Sequence, residues 1–354
     1  MTDSKRIAPR SARAALEPDR VPPVPARQRS KRARHPFVIA GNLFLTVVFL
    51  LTIAAGVGFV IGKQRFDVPG PLTEDKVVNI PRGGIRDTAD LLVKEGVIDQ
   101  PYVFIGGALL LKARNDLKYG EYLFPKRASL REVVDTIMEG KVVQHNFTVA
   151  EGLTSDQVVQ KLLENPVLTG NIREIPREGT LLPETYRFTR GMTREDLIKR
   201  MQEAQRKAVQ EIWERRMPDL PLRSLEQLVI LASIIEKETG RKSDRPMVAA
   251  VFANRLRVGM PLQTDPTVIY GMGENYAGRI RKKDLQTDTP YNTYTRMGLP
   301  PTPISLPGVA SLQAAMNPAQ TTALYFVSRG DGSSIFSDTL GDHNKAVDKY
   351  IRGQ

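Results

Sequence analysis

Cysteine is absent from all 354 residues, tryptophan occurs once, and histidine only three times, at His35, His145 and His343. Without thiols the chain has no disulfide scaffold, no thiol nucleophile, no iron–sulfur cluster and no thiolate zinc site. Three scattered histidines do not suit a His-rich metal centre. The missing cysteine does not by itself name a compartment. What is present is 41% apolar and 25% charged residues, which rules out wholesale disorder and suffices for packed cores. The length allows one large domain or two to three ordinary ones.

Charge is unevenly spread. Of the formal +12, residues 1–36 hold +7, from ten Lys and Arg against Asp3, Glu17 and Asp19, and the other 318 residues hold +5. This segment also has six prolines and almost no large apolar residue before Phe37. It cannot bury enough surface to offset its chain entropy, so the sequence predicts a disordered basic tail.

The next 26 residues, Phe37 to Gly62, carry no formal charge, and Asn42, Thr46 and Thr52 are their notably polar groups. As a helix they reach about 39 Å, against roughly 30 Å for a bilayer core. A cleaved signal peptide has a hydrophobic stretch of only about 7–15 residues, so the length favours a retained transmembrane helix. Basic residues cluster before the span, and Lys63 and Arg65 alone follow it closely, which leaves the tail cytoplasmic and everything downstream outside. That orientation argues against a nucleic-acid partner and for the cell envelope, with the exported part in the periplasm or its equivalent.

Residues 63–75 read as a linker with breakers at Pro69, Gly70 and Pro71. Over 76–147 the pattern predicts a strand, a helix stopped at Gly96, a second apolar helix from Pro101, a strand, and a helix whose Ser129 and Glu132 fit a capping box. A module of strand, two helices and strand invites comparison with small glycan-binding domains of the LysM type; a plain spacer fits the residue types equally. The stretch at 145–164 repeats the scheme of 80–96, a weak sign of duplication. Short alternating elements without a continuous β-α-β run indicate an α+β fold. Further on, Pro183–Tyr186 read as a solvated turn, and a long amphipathic helix capped by Thr193 carries Leu197, Met201, Ala204, Ala208 and Ile212.

The densest chemistry lies between residues 224 and 308. A helix capped by Ser224 and Gln227 and stopped by Gly240 is apolar almost all round from Leu228 to Ile235, the mark of a buried helix. Glu236 and Glu238 emerge at its end, about 200° apart on the wheel, so both cannot face one cleft unless the last turn unwinds. A carboxyl at the end of a buried helix suits a general acid, because desolvation raises its pKa and keeps it protonated. The plainer alternative is an exposed glutamate paired with Lys237 or Arg241. A second helix, capped by Asp244 and ended by Gly259, precedes loops rich in Pro and Gly. These gather Gln263, Thr264, Asp265, Asn292 and Thr293 with Tyr270, Tyr291 and Tyr294. Tyr rings stack on sugar faces while amides and hydroxyls meet sugar hydroxyls, though each residue alone also fits a turn, a cap or the core.

The stretches ASIIEKETG, FANRLRVGMPLQTDPTVIYGMG, PYNTYT, GLPPTPI and ALYFV with a later HNK resemble the endolytic murein transglycosylases, the YceG-like proteins, over roughly residues 76–350. The long tail at 1–36 departs from the shorter forms of that family. The resemblance implies a single-pass enzyme of the inner membrane with its catalytic part, 148–354, in the periplasm, a LysM-like part ahead of it, and peptidoglycan glycan strands as substrate. It also implies work beside the peptidoglycan synthases. The family's catalytic glutamate precedes Thr in E-K-E-T, which here is Glu238; the wheel does not choose it, since Glu236 falls nearer the Leu225, Val229, Ala232 stripe. Glu236 and Asp265 stand as supporting candidates, and Gln263, Thr264, Tyr270, Tyr291, Asn292 and Tyr294 as substrate-binding ones. The chemistry implied requires no metal and no cofactor. A hydrolytic muramidase and a non-catalytic wall-binding scaffold remain as alternatives.

Overall fold

The computed structural model describes residues 35–111 and 117–353, so the tail expected over 1–36 lies, except for its last two residues, outside the described residues. The chain divides into two units, Met1–Asp67 and Val68–Gln354. In the first, helix α1 (Pro36–Asp67) is 32 residues long and apolar enough to cross a membrane. Thr46 and Thr52 donate back to the carbonyls of Asn42 and Val48 at 2.7 and 2.8 Å, so their hydroxyls are satisfied within the helix. The helix runs five residues beyond Gly62, into the expected linker. Lys63, Gln64 and Arg65 are good helix formers, and Pro69 is the first breaker.

The second unit opens with β1 (Lys76–Ile80), α2 (Ile85–Lys94), α3 (Pro101–Leu110) and β2 (Gly120–Phe124). The two strands pair antiparallel, Lys76 opposite Phe124 and Ile80 opposite Gly120. Helix α4 (Leu130–Glu139) follows, with both halves of the Ser129–Glu132 capping box made. Leu92, Phe104, Tyr122, Phe124 and Ile137 are fully buried between these elements. The rest of the expected linker is a docked strap rather than a free one: Leu72 is buried, and Gly70 donates to the Arg127 carbonyl at 3.1 Å.

Strand β3 (His145–Thr148), α5 (Ser155–Glu164) and β4 (Thr185–Phe188) come next, with His145 opposite Phe188 and Thr148 opposite Thr185. The border expected between residues 147 and 148 therefore cuts through β3, which belongs with β4. The solvated turn expected at Pro183–Tyr186 is also corrected. Thr185 begins a strand, and Tyr186 is buried with its hydroxyl donating to Leu182 O at 2.7 Å; an aromatic between two apolar contacts gains more from pairing beside Phe147 than from water.

The remainder is mostly helical: α6 (Arg194–Glu214), α7 (Leu225–Glu238), α8 (Arg245–Val258), α9 (Asp265–Met272), a 3-10 turn, α10 (Lys282–Gln286) and α11 (Val309–Met316). Then β5 (Tyr325–Ser328) and β6 (Ser334–Ser337) form a hairpin, and α12 (Leu340–Val347) runs into a last π turn. The strands described form three antiparallel pairs, so the class is α+β. Thr193 and Gly259 end their helices as the sequence indicates. Three other caps differ. Gln227 reaches past Ser224 to the Arg223 N–H, leaving the box open; α7 ends in an extended Thr239 without a left-handed glycine; and the Asp244 carboxylate accepts from Ser334 N at 3.0 Å instead of capping α8.

Helix α7 is the axis of the larger core. Leu228, Leu231, Ala232, Ser233, Ile234 and Ile235 are fully buried all around it, packed by residues of α6, α8 and α11. Burying a Leu or Ile side chain contributes about 1.5–3 kcal/mol each. That packing fixes where the last turn of α7 points, and so fixes both glutamates.

Candidate active site

Helix α7 keeps its form through Glu238, so the two carboxylates diverge. Glu236 points into protein. Its Oε1 accepts from Arg245 Nη2 at 2.7 Å and its Oε2 from Gly308 N at 3.0 Å, with the two side chains 5% and 4% exposed. The same Nη2 reaches Glu151 Oε2 at 3.1 Å. A Cβ on residue 308 would sit 1.9 Å from Glu151 Oε1, so the close approach requires glycine. With both oxygens engaged and almost no exposure, Glu236 is a buried ion-pair partner and does not open on the cleft that Glu238 faces.

Glu238 points the other way, into a solvent-open cavity of about 360 Å³ lined by Arg255, Gln263, Asp265, Tyr294, Tyr325 and His343 among others. Thr264 donates its hydroxyl to Glu238 Oε1. Burial pushes the Glu238 carboxyl above its ordinary value; the Thr264 hydrogen bond opposes this, the Asp265 charge adds to it, and the Arg255 charge opposes it. The net direction is upward, which favours the protonated acid.

The loop before α9 sets these groups. Gln263 adopts φ 51°, a left-handed conformation uncommon for a residue with a side chain. It is held there by Thr293: Gln263 N donates to Thr293 O, and Thr264 N to Thr293 Oγ1, both at 3.1 Å. Thr264 is consequently buried, while Gln263 and Asp265 are exposed at the cleft. Tyr294 donates to Asp265 Oδ1 at 2.5 Å, and burial pushes its phenol upward, so it stays a donor.

Not every residue picked from the sequence joins this cleft. Asn292 is fully buried. Its Nδ2 donates to the carbonyls of Asp284, Leu285 and Thr287, at 2.7 Å for the last, and its Oδ1 accepts from Tyr294 N. Its hydrogen bonds go to the segment that carries Tyr294, and its side chain does not open on the cleft. Tyr270 and Tyr291 meet edge to face, centroids 5.0 Å apart, and line a separate cavity of about 770 Å³ with Glu178, Gln205 and Thr302. Tyr270 donates to Glu178 Oε2 at 3.3 Å, and burial pushes the Glu178 carboxyl upward too.

Sequence reasoning missed Arg255, Tyr325 and His343. Arg255 donates to Leu324 O and Leu262 O, both at 2.7 Å, and lies 5.3 Å from the Tyr325 ring, tying α8 to both walls of the cleft. His343 stacks on Tyr325 at 5.3 Å, and burial with the nearby Arg255 charge lowers its pKa, leaving a neutral ring. An arginine within an otherwise apolar helix face was the one available signal; the other two come from a hairpin and helix far along the chain.

The fold and cleft thus define an α+β protein with a single raised-pKa carboxyl at the end of a buried helix, facing amides, hydroxyls and phenols. The chain belongs to the YceG-like family, whose profile matches residues 78–349. It is 34% identical over 334 residues to the endolytic murein transglycosylase of Bacillus subtilis (strain 168), covering 84% of this chain and 91% of that one. The Streptococcus pneumoniae (strain D39) protein of the same name is 26% identical over 363 residues, 87% of this chain and 65% of its own length. The crystal structure of a yceG-like protein from Listeria monocytogenes is 32% identical, with 77% of this chain and 98% of that chain covered and a TM-score of 0.48.

Proposed function

We propose that the chain is a membrane-anchored endolytic lytic transglycosylase of peptidoglycan, with Glu238 as its acid and base. The observation that carries this is the divergence at the end of α7: one carboxyl is consumed by Arg245, and the other is raised by burial and opens on the cleft. The names of the relatives support the substrate class.

In the ground state Glu238 holds a proton. It gives that proton to the oxygen between N-acetylmuramic acid and N-acetylglucosamine; the C1–O bond breaks, and its electron pair stays on the departing oxygen. The muramyl ring becomes oxocarbenium-like, as in glycosidases generally. Glu238, now a carboxylate, takes the proton of the C6 hydroxyl as O6 bonds to C1, which regenerates the acid and leaves a 1,6-anhydro end. No water enters the balance. Thr264 orients the carboxyl, Gln263 and Tyr294 hold the sugar, and the Asp265 charge favours the developing cation.

The long apolar α1 supports a single-pass anchor in the inner membrane, and the basic tail before it supports a cytoplasmic N-terminus. The catalytic part then works in the periplasm, beside the synthases that make nascent strands. The order β1, α2, α3, β2 with an antiparallel pair supports a LysM-like glycan contact ahead of the catalytic part. The test is product analysis: purified full-length chain in detergent, incubated with isolated glycan strands, releases fragments ending in 1,6-anhydro muramyl residues by mass spectrometry. Reducing ends would indicate a muramidase instead, and uncut strands with retained binding a scaffold.

A further inference from the structure

The cleft at Glu238 takes about 360 Å³, and the larger cavity of about 770 Å³ has no part in the chemistry at that carboxyl. Its walls are tightly built. A Cβ on Gly179 would lie 2.6 Å from Pro303 Cγ and 2.8 Å from Val229 Cγ1, and its φ is 77°, so the close approach of these three requires glycine. Gln205 is buried and donates to Gly179 O at 2.9 Å, which ties α6 to that wall. Glu178 is pinned through Oε1, which accepts from Ser155 N at 3.0 Å. Its Oε2 takes the long 3.3 Å contact from Tyr270, and a carboxyl oxygen has room for a second donor.

Two chain segments carry residues of both cavities. Helix α9 places Asp265 in the cleft and Tyr270 in the larger cavity, an axial rise of about 7.5 Å. The segment after α10 places Tyr291 in the larger cavity and Tyr294 in the cleft, and the Cα steps between them span at most about 11 Å. The two segments touch, since a Cβ on Gly271 would lie 2.9 Å from Tyr291 Cβ. The partition between the cavities is therefore one short helix with one turn packed on it, and the way from cleft to cavity is a few sugar rings long.

We propose that the larger cavity is a second subsite for the glycan strand, taking an N-acetylated sugar a few rings away from the bond that Glu238 cuts. Its lining has the chemistry of a sugar site. The rings of Tyr270 and Tyr291 with Val229 and Pro303 suit the C–H face and the acetyl methyl, and Glu178 Oε2 accepts from a hydroxyl or the acetamido N–H. A cut within a strand leaves polymer on both sides of the bond, so the strand continues over the protein as it leaves the cleft. A site that holds a sugar there favours long strands over short ones. This deepens the function proposed above and rests on glycan strands being the ligand.

The test uses full-length chain in detergent and glycan strands freed of peptide stems and sorted by length, with KM and kcat read from anhydro-end release. For the unaltered chain, KM should fall once strands are long enough to reach the cavity. Tyr270→Ala should raise KM for long strands about three- to tenfold, with the effect shrinking as strands shorten. Tyr270 packs against the larger core, so Gln202→Trp, half-buried on α6, is a second variant that fills the cavity without removing a packed ring. It should act in the same length-dependent way. Losses equal at all lengths, or no loss in either variant, would overturn the subsite and leave the transglycosylase standing. An effect confined to strands that keep their peptide stems would give the cavity to the stem and overturn the sugar. If the unaltered chain releases no anhydro ends, the role of Glu238 fails; strand binding that still weakens with length in both variants would uphold the subsite.

Discussion

Glu236 and Glu238 are the same residue type two positions apart on one helix, and they have opposite fates. Glu236 has a cation at 2.7 Å and a backbone N–H at 3.0 Å, which engage both of its oxygens inside the protein. Glu238 has a hydroxyl partner and a cleft, with no ion pair among the described residues, and burial outweighs the Arg255 charge to push its pKa upward. Both sit at the end of a buried helix; the partners that packing brings to each decide which one faces the cleft. A helix that does not unwind at its end can therefore present a buried ion-pair partner on one face and a carboxyl with a raised pKa to the cleft on the other.

The sharpest way to break the contrast is to neutralise each in turn. Glu238→Gln should lower the rate of strand cleavage about 10²- to 10⁴-fold, the usual share of a general acid, as read from anhydro-end release. Stability should move the other way. Because the folded Glu238 pKa is raised, its contribution to folding is fully present below the unfolded value of 4.5 and is lost as pH rises through the folded value. Glu238→Gln should leave the Tm unchanged near pH 4 and raise it near pH 8. A variant that loses activity by unfolding would contradict this.

Glu236→Gln should do the reverse. Removing one partner of a buried pair costs about 3–5 kcal/mol, and Glu151 still contacts Arg245, so a loss near about 3 kcal/mol is expected in urea titration. Activity measured well below the new Tm should fall by much less than in Glu238→Gln. If the two variants lost activity equally with stability unaffected, the division of roles would be wrong.

How far this contrast could be read beforehand depends on what each fact requires. The buried character of α7 was legible, because an apolar run from Leu228 to Ile235 leaves no face for water. The divergence of the two glutamates followed from 100° per residue. Their assignment did not, because Arg245, Glu151 and Gly308 are brought to Glu236 by tertiary packing alone. Clustering in sequence did not mean one cavity: Tyr270, on α9, and Tyr291 line a different cavity from Gln263, and Asn292 faces inward because three nearby carbonyls need a donor. The turn expected at Pro183–Tyr186 gives way to a strand from Thr185 because β3, some 40 residues earlier, supplies its partner.

Two finer substitutions act on Glu238 from opposite sides and sharpen the comparison further. The active form is the protonated acid, so the alkaline limb of the rate profile follows the folded pKa: activity falls as pH rises through it. Thr264→Val removes a hydrogen bond that lowers this pKa. The limb should move to higher pH, with a stability loss of about 1 kcal/mol for the hydrogen bond.

Asp265→Asn should give the smallest effect and the opposite sign. Asp265 acts on Glu238 through charge alone, and it ranks below the Thr264 hydrogen bond among the causes of the shift. It is exposed at the cleft, where solvent weakens the interaction. Removing the charge relieves a repulsion that favours the protonated acid, so the limb should move to lower pH, by less than Thr264→Val moves it upward. Asn keeps an oxygen to accept from Tyr294, which separates the loss of charge from the loss of that 2.5 Å contact. Raising the salt concentration should shrink the Asp265→Asn shift and leave the Thr264→Val shift nearly unchanged, since salt screens the charge across the cleft but not a hydrogen bond in contact. A limb that moved the same way in both variants would mean that the cleft, and not these two neighbours, sets the proton affinity of Glu238.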